Sequence, residues 1–325
     1  MNSYLRKNTK VLVTGGAGFI GSHLVDKLLE VGLKVVCIDN FTLGNKKNLH
    51  KALRNPNFKL CIFNLLEIQE LKKLFNKESF DIVFHLAANS NIQLGSVELQ
   101  TDYKNTFLTT FNVLNCMKEY NVKQLIFSSS SAIYGEAGEH ISEDYGPLFP
   151  ISFYGSAKLA SEAYISAFCE NFSINAWIIR FPNVVGDRLT HGVIYDFINK
   201  LSKDPSGLQV LGDGNQRKPY LYIDDLLDAI FFIYQNTNKK INYFNLAAKS
   251  TTSVQKIAEI IIEKMDLKNV DIKFTGSDRG WIGDVPRFSY DTTKINNLGW
   301  EPSMTSDEAI ILAVQKELTH RGLLE

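Results

Sequence analysis

The chain has 325 residues, 35 basic and 35 acidic side chains, no formal net charge, and 45% apolar residues. That is enough apolar material to bury one large domain or two modest ones, and the charge balance argues against a nucleic-acid or other polyanion surface. Cys37, Cys61, Cys116 and Cys169 lie scattered, mostly in apolar runs, with no Cys-x-x-Cys pair, which reads as reduced core residues and not as a disulfide framework or metal site. No run approaches the ~18 apolar residues of a membrane span, and Met1 to Lys10 carries no leader-like apolar stretch, so a soluble, cytoplasmic protein is expected.

Val11 to Thr14 form a short apolar strand that runs into Gly15-Gly16-Ala17-Gly18-Phe19-Ile20-Gly21, and Ser22 to Glu30 then has helical periodicity. Lys34 to Ile38 is a second buried-type strand, ending on Asp39 and followed by Asn40. Strand, glycine turn and helix, with Gly15, Gly18 and Gly21 three apart, let the backbone approach a pyrophosphate at a helix N-terminus, where unpaired N–H groups and the dipole favour an anion. Gly15, Gly18, Phe19 and Ile20 are therefore candidate cofactor contacts. A carboxylate at position 39 accepts hydrogen bonds from the adenosine ribose and repels a 2′-phosphate, which selects NAD over NADP.

The alternation continues with strand Lys59 to Phe63, helix Glu67 to Phe75, strand Asp81 to His85, a long helix from Glu98 to Tyr120, and strand Lys123 to Ser128. Strands rich in Val, Ile and Phe between amphipathic helices predict a parallel sheet covered on both faces, a doubly wound α/β (Rossmann) domain. Its ligands bind at the carboxyl ends of the strands, where Gly15, Asp39, Ala87 and Ser130 all fall. Ile174 to Phe181 is a further strand, ending at Pro182-Asn183. Beyond residue 184 the pattern loosens into the short strands and helices of a smaller C-terminal α/β lobe. The expected domains are 1–183, with 220–246 returning to it, and 184–325.

In Tyr154-Gly155-Ser156-Ala157-Lys158, a helix places Tyr154 and Lys158 one turn apart on the same face, their Cβ atoms roughly 5–6 Å apart. A tyrosine with a pKa of about 10 is a poor base at neutral pH, and a neighbouring ammonium favours its phenolate. A Tyr-x-x-x-Lys pair alone is commonplace; the glycine turn and the serine cluster Ser128-Ser129-Ser130-Ser131 give this one weight.

The glycine turn, Asp39, His85-Leu86-Ala87-Ala88, Phe127 to Gly135 and Tyr154 to Lys158 occur in one order and spacing that resembles the extended short-chain dehydrogenase/reductase family, in its nucleotide-sugar epimerase and dehydratase branch. The resemblance reaches Asp291, Lys294 and Leu298-Gly299-Trp300-Glu301-Pro302. It implies that Ser130, Tyr154 and Lys158 are catalytic: serine binds the reacting sugar hydroxyl, tyrosine exchanges its proton, and lysine lowers the phenol pKa and binds the nicotinamide ribose. It also implies that Asn40, Asn64, Leu65, Leu86, Ala87, Ala88 and Tyr154 touch the cofactor. Asn183, Arg217, Lys218 and Arg279 become candidate contacts to the sugar nucleotide, which makes the smaller C-terminal α/β lobe the substrate lobe, although Lys218-Pro219 stands where many relatives carry Arg-Asp.

Family 4,6-dehydratases place Asp-Glu directly after the catalytic Ser or Thr, and decarboxylases a Glu at the second of those positions; here they hold Ser131 and Ala132. That disfavours both reactions. The expected activity is NAD-dependent 4-epimerisation of a nucleotide sugar through a bound 4-keto intermediate. The alternative is net 4-dehydrogenation with release of the ketone, as in surface-polysaccharide assembly. A non-catalytic NAD sensor is disfavoured, because such sensors lose the tyrosine or lysine. Phe107, Phe111, Leu114 and Met117 on the long helix, with Tyr164 and Phe168 on the helix of Tyr154, form apolar stripes that suit core burial, and helix pairing in the family further implies a homodimer through such helices.

Overall fold

The computed structural model describes residues 9–281 and 283–324; residues 1–8, on which the absence of a leader was read, lie outside them. In chain order the elements are β1 (Lys10–Thr14), α1 (Phe19–Glu30), β2 (Lys34–Asp39), β3 (Phe58–Ile62), α2 (Ile68–Lys77), β4 (Ile82–His85), α3 (Ile92–Val97) and α4 (Gln100–Asp102). A π-helical turn (Tyr103–Leu108), α5 (Thr109–Glu119), β5 (Gln124–Ser130), α6 (Phe153–Phe172), β6 (Asn175–Phe181), β7 (Asn183–Val185), α7 (Val193–Lys203) and β8 (Gly207–Val210) follow. The rest comprises β9 (Arg217–Lys218), β10 (Tyr220–Tyr222), α8 (Ile223–Asn236), β11 (Ile241–Asn245), β12 (Thr252–Ser253), α9 (Val254–Lys264), β13 (Asp271–Phe274), α10 (Thr293–Asn296) and α11 (Ser306–His320). They group into two compact units: residues 1–133, 152–180 and 230–244 in the first, and 134–151, 181–229 and 245–325 in the second.

The first unit is built on a seven-stranded sheet of order β11-β6-β5-β4-β1-β2-β3. β3, β2, β1, β4 and β5 are mutually parallel, with Thr14 opposite both Ile38 and His85 in register. Side chains alternate across a strand, so both faces of a buried strand must be apolar. Leu12, Ile38, Val83, Phe127 and Ile178 share one core with α2, α5 and α6, while Val11, Val13, Cys37 and Phe84 are just as buried on the opposite face. The strand order reverses between β1 and β4, and this switch point puts the glycine turn at the sheet's carboxyl edge.

The long helix expected from Glu98 to Tyr120 is regular only in part. It begins at α4, Tyr103–Leu108 winds as a π turn before α5, and a separate short helix, α3, precedes it. A π turn leaves carbonyls without their usual partners, and threonine hydroxyls take them: Thr109 Oγ1 donates to Asn105 O at 3.0 Å and Thr110 Oγ1 to Thr106 O at 2.6 Å.

In the second unit β7 pairs with β10 and β8 with β13, both parallel, while β9 and β12 are antiparallel. β13 was not foreseen from the sequence. α11 opens on a capping box in which Thr305 and Glu308 satisfy each other's backbone N–H groups. Among the described residues no helix is long and apolar enough to cross a membrane.

The glycine turn tolerates no side chain at its third glycine. A Cβ on Gly21 would lie 2.2 Å from Gly15 O and 2.8 Å from Gly16 Cα, both backbone atoms that cannot swing aside. Gly21→Ala is expected to cost about 2–3 kcal/mol of stability, the scale of a forced backbone shift, as measured by urea denaturation.

Candidate active site

β1 ends and the chain turns at Gly15, whose φ of +71° favours glycine and whose N–H donates to Ile38 O at 2.8 Å. A Cβ there would meet Ala87 N at 2.8 Å, so the Leu86-Ala87 segment after β4 closes against the turn. Gly18 caps α1 without any side-chain hydrogen bond, leaving N–H groups of the first helical turn, at Phe19 and Ile20, available to an anion.

Asp39 holds this cradle together: its carboxylate accepts from Ala17 N at 2.9 Å and Phe41 N at 2.8 Å. Burial pushes its pKa up, while those backbone N–H groups pull it back. Each oxygen retains a lone pair for a ribose hydroxyl. Asn40 is exposed and uses its side-chain oxygen on Thr42 N at 3.1 Å. Asn64 likewise spends its amide oxygen on Leu66 N at 2.9 Å, keeping only its NH₂ free for a base, and Leu65 is buried beside it. Leu86 and Ala87 reach Thr14 through N–H bonds of 3.2 and 3.3 Å, and Ala88 comes next, partly exposed. The residues present therefore fit a dinucleotide: a side-chain-free cradle, open helix N–H groups and an acid at the second strand's end.

The reacting end is set by β5 and α6. Ser152 caps α6 by accepting from Gly155 N at 3.0 Å, which places Tyr154 in the first turn and Lys158 in the second. Tyr154 stands against Ser130, the last residue of β5, near enough for the serine hydroxyl to pull the phenol pKa down, and Ser130 Oγ accepts from Ala132 N at 3.2 Å. Lys158 Nζ donates to Ser128 O at 2.6 Å and lies 4.7 Å from the Phe127 ring centroid and 5.8 Å from that of Tyr154. Ser130, Tyr154 and Lys158 are thus brought together at one strand end.

The electrostatics correct the expectation drawn from spacing. Tyr154 is pushed up to about 12, first by burial and also by the Asp102 carboxylate, with the Ser130 hydroxyl pulling the other way. Lys158 is pulled down to about 7 by burial, against the Glu162 and Asp102 carboxylates. The ammonium serves a backbone carbonyl, not the phenol, so without bound ligands Tyr154 is a protonated phenol at neutral pH. His85 is neutral, pulled down to about 3 by burial and the Lys158 charge, and wedged between Thr14 Oγ1 at 2.7 Å and Thr110 Oγ1 at 3.0 Å. That is a structural role. Asp102, unforeseen from the sequence, is fully buried; one oxygen accepts from Asn89 Nδ2 at 2.9 Å and the other has no partner. Only its place at the start of a helical stretch could have hinted at it.

The four candidate substrate contacts all lie in the second unit. Asn183 hydrogen-bonds with Tyr220, its neighbour across the β7–β10 pair. Arg217 donates to Thr251 O at 3.1 Å, Lys218 pairs with buried Asp284 and lies 5.3 Å from the Trp281 ring centroid, and Arg279 pairs with Glu136.

A doubly wound sheet with a glycine cradle at its switch point, and a Ser, Tyr and Lys set gathered by β5 and α6, defines a nucleotide-cofactor enzyme of the extended short-chain dehydrogenase/reductase type. Residues 11–247 match the model of the NAD dependent epimerase/dehydratase family. The chain is 33% identical over 305 residues to a putative UDP-glucose 4-epimerase of Methanocaldococcus jannaschii, covering 92% of this chain and 95% of that one. It is 29% identical over 315 residues to the dTDP-D-glucose 4,6-dehydratase of Mus musculus, covering 94% and 88%. A crystal structure of UDP-galactose 4-epimerase superposes with a TM-score of 0.84 at 35% identity, over 96% of this chain and 99% of that one. The chain belongs to the NAD dependent epimerase/dehydratase family, and NAD is its cofactor.

Burial of Lys158 has a pH signature. Its folded value lies below the ordinary 10.5, so between pH 7 and 10.5 the unfolded chain binds more protons and wild-type stability rises with pH. Below pH 7 the folded protein carries the full burden of a buried charge. Lys158→Met should therefore raise the melting temperature by on the order of 5 °C at pH 6. The gain should fade as pH approaches 10, read by circular dichroism.

Proposed function

We propose that this enzyme is a nucleotide-sugar 4-epimerase in which Ser130, Tyr154 and Lys158 carry the chemistry. The observation that supports it most is the juxtaposition of Tyr154 and Ser130 beside Lys158, at the sheet edge that also carries the glycine cradle. Two hydroxyls on one spot suit a sugar hydroxyl that must lose and regain a proton. Bound NAD would supply a hydride acceptor and donor, and the positive charge of its oxidised nicotinamide ring would favour the phenolate. Tyr154 then takes the proton of the 4-hydroxyl and returns it after the ketone has turned over. Ser130, held by Ala132 N, orients that hydroxyl. Lys158 keeps a positive charge near the phenol and the ribose.

The residues after Ser130 separate the reactions found among the relatives. Ser131 and Ala132 offer no carboxylate to remove water across C5 and C6 or to assist decarboxylation. Asp39 supports NAD over NADP. Asn183, Arg217, Lys218 and Arg279 remain the proposed contacts to the sugar nucleotide, through the polar and charged groups diphosphate recognition uses.

A single-turnover assay over UDP-, GDP-, dTDP- and CDP-sugars tests the reading. The expected result is an epimer with the cofactor returned as NAD; a ketone with NADH left on the protein would favour net dehydrogenation instead. Tyr154→Phe should lower turnover at least ~100-fold, the usual worth of a positioned acid/base. Unchanged turnover would remove Tyr154 from the mechanism.

The aromatic ladder on the first unit supports a homodimer. Phe107 and Phe111 pack edge-on to Tyr164 at 5.0 and 5.8 Å, Phe111 meets Phe168 at 6.3 Å, and Tyr103 and Tyr164 remain exposed. Light scattering should give twice the chain mass, and Tyr164→Glu should halve it; a wild-type monomer would end the proposal.

A further inference from the structure

One buried charged cluster lies outside the chemistry just described. Glu162 stands one turn beyond Lys158 on α6, and its carboxylate takes three hydrogen bonds. Ser129 Oγ donates to Oε1 at 2.5 Å, Arg180 Nε to Oε1 at 3.0 Å, and Arg180 Nη2 to Oε2 at 2.6 Å. Ser129 is fully buried, and the two charged side chains are 8% and 9% exposed. The guanidinium of Arg180, on β6, also lies 5.4 Å from the Tyr243 ring centroid. Burying such a pair costs desolvation that its attraction often only offsets, and well-packed apolar residues would serve stability equally well. Stability alone does not account for it.

Its position does. Three consecutive residues of β5 each engage one member of a stripe on α6 spaced four apart: Ser130 meets Tyr154, Ser128 O takes the Lys158 ammonium, and Ser129 meets Glu162. The forked Arg180–Glu162 contact holds the third rung, and the two reacting rungs hang from the same strand and helix. Resting on the catalytic reading above, we propose that Glu162 and Arg180 are positioning residues of the Ser130–Tyr154–Lys158 centre, locking the end of β5 to α6 and keeping a fixed negative charge behind Lys158.

The groups facing Lys158 bear this out. Glu162 comes from its own helix and Asp102 from α4, both as carboxylates; His85 on β4 is neutral; Tyr154 is a protonated phenol; and Phe127 on β5 offers only its ring. Two carboxylates are all that oppose the burial pulling Lys158 down to about 7. Glu162 is the one held in place by a counter-cation, so its distance from Lys158 cannot relax.

The Nζ resonance of Lys158 in ¹⁵N-lysine-labelled full-length protein, assigned with Lys158→Met, reads this directly. Glu162→Gln keeps the shape and removes the charge, and it should lower the Lys158 midpoint by about one pH unit, the lower end of what a nearby opposite charge contributes. The pH profile of kcat/KM should move with it while bound NAD stays constant. Arg180→Lys, retaining charge without the fork, should restore part of the profile that Arg180→Met loses. If Glu162→Gln does not fold, the paired replacement Glu162→Leu with Arg180→Met removes both charges and should give the same downward midpoint. An unchanged midpoint in either folded variant overturns the proposal. Because the midpoint is read without substrate, it stands apart from the catalytic assignment, which Tyr154→Phe tests separately.

Discussion

The first unit is organised around a lysine that has been taken out of water. Lys158 is almost fully buried, and its one direct hydrogen-bond partner of normal length is the Ser128 carbonyl. A charge in such a place is expensive unless its surroundings are built for it. Around it stand an aromatic face, a neutral imidazole locked between two threonines, and two carboxylates at longer range. A lysine near the middle of its titration responds to small changes in the surrounding field. The π turn contributes to the same environment, because Thr110, which repairs it, is also a partner of His85, and Thr106 within it accepts from Asn89 N.

How far the sequence foretold this depends on the range of the forces involved. The glycine turn was legible because its constraint is local: a left-handed φ at Gly15 and backbone packed against Gly21 exclude every side chain. Asp39 was legible because it closes the next strand, although its task of bonding Ala17 and Phe41 was not visible. That Ser130, Tyr154 and Lys158 would meet at one strand end was legible from spacing and family resemblance. The sense of the tyrosine shift was not, because spacing reports a neighbour but not burial, and here burial outweighs the neighbour. Asp102, and the break of the long helix at Tyr103–Leu108, depend on contacts with Asn89 and the threonines that no periodicity records.

Dehydration, decarboxylation and epimerisation all begin from one oxidation, so the reacting hydroxyl and its base reveal little about the outcome. The two residues directly after Ser130 are more telling. Ala132 contributes a backbone N–H to Ser130, and its side chain is a methyl group with no carboxylate. An apolar methyl there neither moves a second proton nor competes for the first. On the proposed function, a site with one mobile proton returns only what it removed, which is the ground for preferring an epimer or a ketone in that proposal.

The cations of the second unit raise a further point of energetics. Lys218 already pairs with Asp284, Arg279 with Glu136, and Arg217 with the Thr251 carbonyl. A phosphate reaching them gains only the difference between itself and the partner it displaces or shares, not a full ion pair. Lys218, whose partner is buried, can share but not easily let go, because a lone Asp284 carboxylate would stay stranded out of water. Arg279 and Glu136 are both substantially exposed, so their pairing is weak and exchange costs little. If the proposed sugar-nucleotide contacts hold, Arg279 is therefore the cation of these three that exchanges partners at least cost, while the Lys218 charge stays fixed by Asp284.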